Sequence, residues 1–254
     1  MSIFSSSALA GKTILVTGAS SGIGRGTAYL LSLSGARLIL NGRDEERLSS
    51  TLSRLSGSGH VAVPASLNDV DCVSTWVKDL SATYGVLDGI FHAAGILQLK
   101  PVRLIRQQDI VNAISSSLMA GFGLAKAVAS KGVIRDGGSM VFMSSVVGSR
   151  GQSGMCTYSA AKSGVEGLVR SLSCEVAPRK IRVNAIAAGS VETEMAKNLR
   201  NLMGEENSML LERHHLLGLG GIEDIANAAL FLLSPASTWI TGTVMVVDGG
   251  YMVR

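Results

Sequence analysis

Residues Lys12–Gly24 read KTILVTGASSGIG, and this stretch decides the fold. Lys12–Thr17 is a short apolar run that stops at glycine, the pattern of a buried strand. A helical pattern opens at Gly22, runs to Ser34 and is closed by Gly35. Between them, Gly18, Ser20, Ser21, Gly22, Ile23 and Gly24 make a glycine-rich turn at a helix N-terminus. Such a turn lets backbone N–H groups approach a pyrophosphate, and the helix end favours negative charge. A glycine triplet alone is a weak signal; its place in the first strand–turn–helix unit gives it weight.

Outward from that unit the chain repeats the alternation. Strands are expected at Arg37–Asn41, Val61–Val63, Gly89–His92, Ser139–Met143, Ile181–Ile186 and Thr243–Val247. Helices are expected at Asp44–Leu55, Val70–Tyr84, Gln107–Ser130, Thr157–Ala177 and Glu223–Leu233. Strands alternating with helices predict an α/β fold: one doubly wound (Rossmann) parallel sheet of about seven strands, helices on both faces, in one domain over 1–254. Val191–Gly221 is rich in Glu, Asn, Leu and Met and is interrupted at Gly204. It is read as an irregular, mobile lid over a site, at about 191–221.

Composition narrows the classes. With 46% hydrophobic and 17% charged residues the chain is not disordered. A net charge of +4 without a basic run, and 4% aromatics, argue against nucleic acid. Cys72, Cys156 and Cys174 are widely spaced, suggest no metal, and read as small buried hydrophobes in a reducing cytosol. Met1–Gly11 carries no Lys or Arg and no long apolar core, so no secretory signal is expected. Ile225–Val247 is long and uncharged, but Ser234-Pro235, Ser237-Thr238 and Thr241-Gly242-Thr243 break it into helix, loop and strand. A soluble, cytoplasmic protein without a membrane span is the expectation.

The spacing Thr-Gly-x-x-x-Gly-x-Gly, with several motifs downstream, resembles the short-chain dehydrogenases/reductases, specifically their 3-oxoacyl-(acyl-carrier-protein) reductase-like branch. The motifs are His92-Ala93-Ala94-Gly95, Ser145, Tyr158-x-x-x-Lys162, Asn184, Ala188-Gly189, Val191-Glu192-Thr193-Glu194-Met195 and Val247-Asp248-Gly249-Gly250. They run in family order nearly end to end. The resemblance implies a nicotinamide cofactor held by the glycine loop, Ala93, Ala94, Gly95, Tyr158, Lys162, Gly189, Val191 and Thr193. Ser66 stands where the family has an Asp or Asn near adenine.

Ketone reduction needs a hydride donor and a proton donor at the carbonyl oxygen. A free tyrosine is too weak an acid near pH 7, and an adjacent ammonium would lower its pKa. Tyr158 and Lys162 are four apart, on one helical face. Ser145, just past the fifth strand, can bond the substrate oxygen. The family adds an asparagine from the preceding long helix; Ser117 occupies that place here, and Asn112 lies over a turn away.

No acid follows the second strand, which ends Asn41-Gly42-Arg43. Arg43 could pair with a 2′-phosphate, so NADP(H) is favoured, with NAD(H) the alternative. Apolar residues from Met195 to Leu217 suit an acyl substrate under the lid. A small carbonyl or alcohol substrate carried on acyl carrier protein is one reading, with Arg135, Arg179 and Lys180 as candidate contacts. A sugar, polyol or steroid-like alcohol dehydrogenase is the alternative, and a non-catalytic nucleotide-binding scaffold a third. The resemblance also implies a homotetramer, or a homodimer, through the two long helices and the last strand.

Overall fold

A computed structural model describes residues 4–254. Seven strands form one sheet: β1 (Thr13–Thr17), β2 (Arg37–Asn41), β3 (Val61–Ala62), β4 (Leu87–His92), β5 (Ile134–Ser145), β6 (Arg182–Ala188) and β7 (Val244–Val247). Their order is β3-β2-β1-β4-β5-β6-β7, and every pair is parallel. The chain winds one way from β1 to β3, then returns beside β1 to wind the other way from β4. That reversal opens a crevice past the carboxyl ends of β1 and β4, where sheets of this kind bind ligands.

Period-2 alternation sorts the core into two layers. Ile14 and Val16 of β1 face α1 (Gly22–Leu33) and α9 (Ile222–Leu233). Leu15, between them, faces the other layer, with α3 (Val70–Tyr84), α5 (Ala120–Ala129) and α6 (Cys156–Val176). Because both faces are covered, the central strands are buried along nearly their whole length, as their continuous apolar runs require.

Four expectations change. β5 runs Ile134–Ser145, not Ser139–Met143; pairing with β4 through a register shift at Leu87/Gly89 draws Arg135-Asp136-Gly137-Gly138 into the strand. Ser145 is therefore the strand's last residue, not the residue past it. The long helix divides into α4 (Gln107–Ile114), a π turn (Ser115–Met119) and α5. The segment read as irregular is two helices, α7 (Glu194–Met203) and α8 (Glu205–His214), hinged at Gly204 with φ +79°. The three cysteines are free and exposed, on outward faces of α3 and α6, rather than buried.

The 225–247 stretch is α9, a short turn and β7, as its breakers predict. Among the described residues one helical run, Gln107–Ala129, is long and apolar enough to cross a membrane by length and composition. It packs against α3 and α6 in the layer covering the sheet.

Candidate active site

The crevice at the switch point is a cleft of about 1010 Å³, roughly the upper end of cofactor and small-molecule sites. One end is the glycine loop. Gly18 adopts φ +68°, and a Cβ there would lie 2.8 Å from the amide nitrogen of Ala94. A Cβ on Gly24 would lie 2.2 Å from the Gly18 carbonyl oxygen. These contacts press the loop flat against the His92–Gly95 segment. Ser21 caps α1 without a side-chain hydrogen bond, so the first-turn N–H groups stay free for an anion. The cradle fits a dinucleotide pyrophosphate.

The adenine side of the cleft is bounded by Gly42, Arg43, Ala65, Leu67 and Asn68. Asn41 is spent on structure: its amide donates to the carbonyls of Val63 and Ala65, both at 3.2 Å. The nearby acid Asp44 caps α2 (Glu45–Leu52) by accepting from the Arg47 N–H at 2.9 Å. Arg43 lines the cleft and makes no ion pair among the described residues. Arg47, which the sequence reading passed over, also reaches the cleft and pairs with Glu194 of α7 at 2.7 Å. Ser66 does not line the cleft: its side chain is exposed and Leu67 turns inward instead, because an apolar residue gains more from the buried position.

Ser145, Tyr158 and Lys162 meet at the other end. β5 delivers Ser145; one face of α6 delivers the other two. Burial pushes the Tyr158 phenol up to about 12, partly offset by the neighbouring Ser145 hydroxyl. The Lys162 ammonium lies 5.5 Å from the Tyr158 ring centre and donates to the Met143 carbonyl at 2.8 Å. Burial brings Lys162 down to about 8. At pH 7 the phenol is protonated and the lysine still charged, the pairing a proton donor needs.

A residue the sequence reading missed holds this corner together. Glu166 lies one turn beyond Lys162 on the same face of α6. Its buried carboxylate accepts from Ser144 at 2.8 Å and Ser149 at 3.1 Å. It thereby pins the turn after β5, and with it Ser145. Asn184 proves structural: it donates to the Ile240 carbonyl at 2.9 Å and accepts from the Thr243 N–H at 3.2 Å, joining β6 to the approach of β7.

Ser117 does not reach the cleft wall, where Ser116 stands instead. It is 1% exposed, on the π turn, with its hydroxyl unpartnered. Asn112 is exposed and accepts from Gln108. Gly189, Val191 and Thr193 do line the cleft, and Thr193 also caps α7.

Met195 and Leu199 of α7 and Leu211 of α8 face the cleft, joined by Val147 and Met155. Two further wall residues carried no local sequence signal. His215 accepts from the Ser190 N–H at 3.0 Å, donates to the Leu211 carbonyl at 2.7 Å and stacks on Tyr251 at 4.7 Å. Tyr251 sits in a single 3₁₀ turn at the chain's end, with the Arg150 guanidinium 4.4 Å over its ring.

Arg135, Arg179 and Lys180 lie far from this mouth. They flank the starts of β5 and β6, whereas the cleft is at the strand ends, roughly 20 Å away at strand rise. Arg179 is committed to Asp136 and to the carbonyls of Val128 and Ile134.

A doubly wound sheet whose switch-point cleft ends in a glycine-rich anion cradle is the architecture of a nucleotide-binding protein. Residues 18–252 match the family model described as enoyl-(acyl carrier protein) reductase. The chain is 37% identical over 247 residues to the 3-oxoacyl-(acyl-carrier-protein) reductase of Chlamydia muridarum, covering 96% of this chain and 98% of that one. It is 35% identical to carbonyl reductase family member 4 of Danio rerio, covering 93% and 96%. A short-chain type dehydrogenase/reductase from Mycobacterium ulcerans superposes with a TM-score of 0.89 at 30% identity, covering 97% of this chain and 91% of that one. The chain belongs to the short-chain dehydrogenase/reductase family, oxidoreductases that act on CH–OH groups and ketones.

Proposed function

We propose that this protein reduces the ketone of a 3-oxoacyl thioester with NADPH. The observation that carries the reading is the convergence of Ser145, Tyr158 and Lys162 on one cleft whose opposite end is a pyrophosphate cradle. The bound dihydronicotinamide supplies the hydride. Ser145 positions the ketone oxygen by donating a hydrogen bond to it. Tyr158 gives its proton to that oxygen as charge develops, and the Lys162 ammonium stabilises the phenolate left behind.

The preference for NADPH rests on Arg43, which makes no ion pair among the described residues and stands where an acid would exclude a 2′-phosphate. Acyl substrate is favoured over sugar by the walls, since Val147, Met155, Leu199 and Leu211 offer apolar surface and few hydrogen-bonding groups. The 191–221 segment acts as the lid, turning about Gly204. Exposed Ile110, Val111, Met119 and Phe122 along α4 and α5 favour assembly of several subunits through that face, as a homotetramer in the cytoplasm. Acyl carrier protein is the natural carrier for such a substrate.

The test is a steady-state screen of NADPH and NADH oxidation against acetoacetyl thioesters, simple ketones and keto sugars. Turnover of thioesters with NADPH above the rest supports the reading. Preference for a sugar, or for NADH, overturns it.

A further inference from the structure

His92 occupies the centre of a chain of contacts that joins the glycine loop to the lysine corner. It is the last residue of β4 and almost wholly buried. Its Nδ1 lies 2.7 Å from the hydroxyl of Thr17, the last residue of β1 before Gly18. Its Nε2 lies 3.2 Å from the Ser117 carbonyl oxygen. A carbonyl can only accept, so Nε2 carries the proton and Nδ1 accepts from Thr17. Burial, then the nearby Lys162 charge, hold the imidazolium form down to about 4, so the ring keeps this neutral arrangement at working pH.

The Ser117 carbonyl belongs to the π turn. There the Ala120 N–H bonds back to Ser115, five residues earlier, and also to Ser117. A π turn inside an α-helix is costly and is found mostly where a site needs the displaced backbone. The Ser117 hydroxyl is buried and unpartnered. It faces the same glycine as the lysine: a Cβ on Gly95 would meet Ser117 Oγ at 3.0 Å and Lys162 Nζ at 3.3 Å. An orphaned buried hydroxyl converging with a buried ammonium is a polar pair that a small bridging molecule can join.

Resting on the reductase reading above, we infer that His92 is a positioning residue for proton delivery: it ties the Ser117 carbonyl to the end of β1 and so holds the Ser117 hydroxyl toward Lys162. Ser117 replenishes the lysine side of the relay, and His92 keeps it in register with the cofactor loop.

The imidazole's two nitrogens allow a clean test, because an asparagine amide reaches about as far as Nδ1 and a glutamine amide about as far as Nε2. His92→Asn keeps the Thr17 bond and loses the Ser117 bond; His92→Gln keeps the Ser117 bond. In the full-length enzyme His92→Asn is expected to lower kcat a fewfold, as far as loss of the Ser117 hydroxyl itself does, since it acts through the placement of that group. NADPH Kd and ketone KM should stay near wild type, while the solvent deuterium isotope effect on kcat rises. His92→Gln should keep most of kcat and the wild-type isotope effect. If His92→Asn does not fold, Thr17→Val tests the same chain by removing the hydroxyl that anchors Nδ1; its kcat should fall and its isotope effect rise. Activity that merely tracks the loss of Tm in each variant, with an unchanged isotope effect, overturns the inference, as does a fully active His92→Asn. A wild-type protein inert toward every ketone overturns the reductase reading and this inference with it; an active wild type confines any failure to His92.

Discussion

The two ends of the cleft are built on opposite principles. At the glycine loop, backbone meets backbone at contacts no side chain could enter, and the left-handed turn at Gly18 leaves little choice of residue. At the α7–α8 side, the helices keep apolar side chains in the open, with Leu202 75% and Leu210 50% exposed. A pyrophosphate is the same in every nucleotide cofactor and rewards rigid donors. An acyl chain varies and rewards a surface that can repack. The contrast predicts that damage at the first end abolishes binding, whereas damage at the second shifts selectivity.

The largest effect should come from Gly24→Ala. The added methyl would overlap the Gly18 carbonyl at 2.2 Å, so the loop must shift. NADPH affinity, read by fluorescence titration, should fall at least about a hundredfold, by the loss of several charge-assisted bonds. Retained affinity would show that the loop is not rigid. Arg43→Glu comes next. It should weaken NADPH about tenfold to a hundredfold and leave NADH nearly unchanged, because the lost contact is to the 2′-phosphate alone. Equal weakening of both cofactors would move Arg43 away from that phosphate.

At the lid, Leu199→Ala removes buried apolar surface from the cleft wall. KM for a medium-chain 3-oxoacyl thioester should rise about tenfold, with NADPH binding unchanged. A change in NADPH affinity instead would mean that the two ends are mechanically coupled, for which the Arg47–Glu194 pair offers a route.

The proton-transfer corner, at the end of the cleft away from the glycine loop, should respond to pH. Lys162 loses its charge near pH 8, while Tyr158 keeps its proton to about 12. Ketone reduction should thus be level up to about pH 8 and then fall, as the uncharged lysine no longer stabilises the phenolate. A decline beginning near pH 6 would point to another group. The smallest effect is expected for Ser117→Ala, a fewfold loss in kcat, since the hydroxyl has no protein partner to abandon.

The same contrast explains what could be read from the sequence. Backbone-dictated features announce themselves: the glycine loop, the alternation of strands and helices and the Tyr158/Lys162 spacing all follow from local pattern. Contacts between distant segments do not. Nothing near Tyr251 marks it as a wall of the cleft, because its neighbours there, His215 and Arg150, are remote in sequence. Glu166 could have been found, being four residues past Lys162 on the same face. The π turn at Ser115-Ser116-Ser117 was read as plain helix because its side-chain periodicity differs by one residue over a single turn. Arg135 and Arg179 were misplaced because charge alone does not tell one end of a strand from the other.

The central claim is that Tyr158 is the proton donor in a cleft whose nucleotide end works independently. Wild type and Tyr158→Phe should be compared side by side, with NADPH binding by fluorescence and NADPH oxidation with an acetoacetyl thioester. The account predicts equal NADPH affinity and a turnover lower by at least about a hundredfold in the variant. Near wild-type turnover in Tyr158→Phe would contradict it.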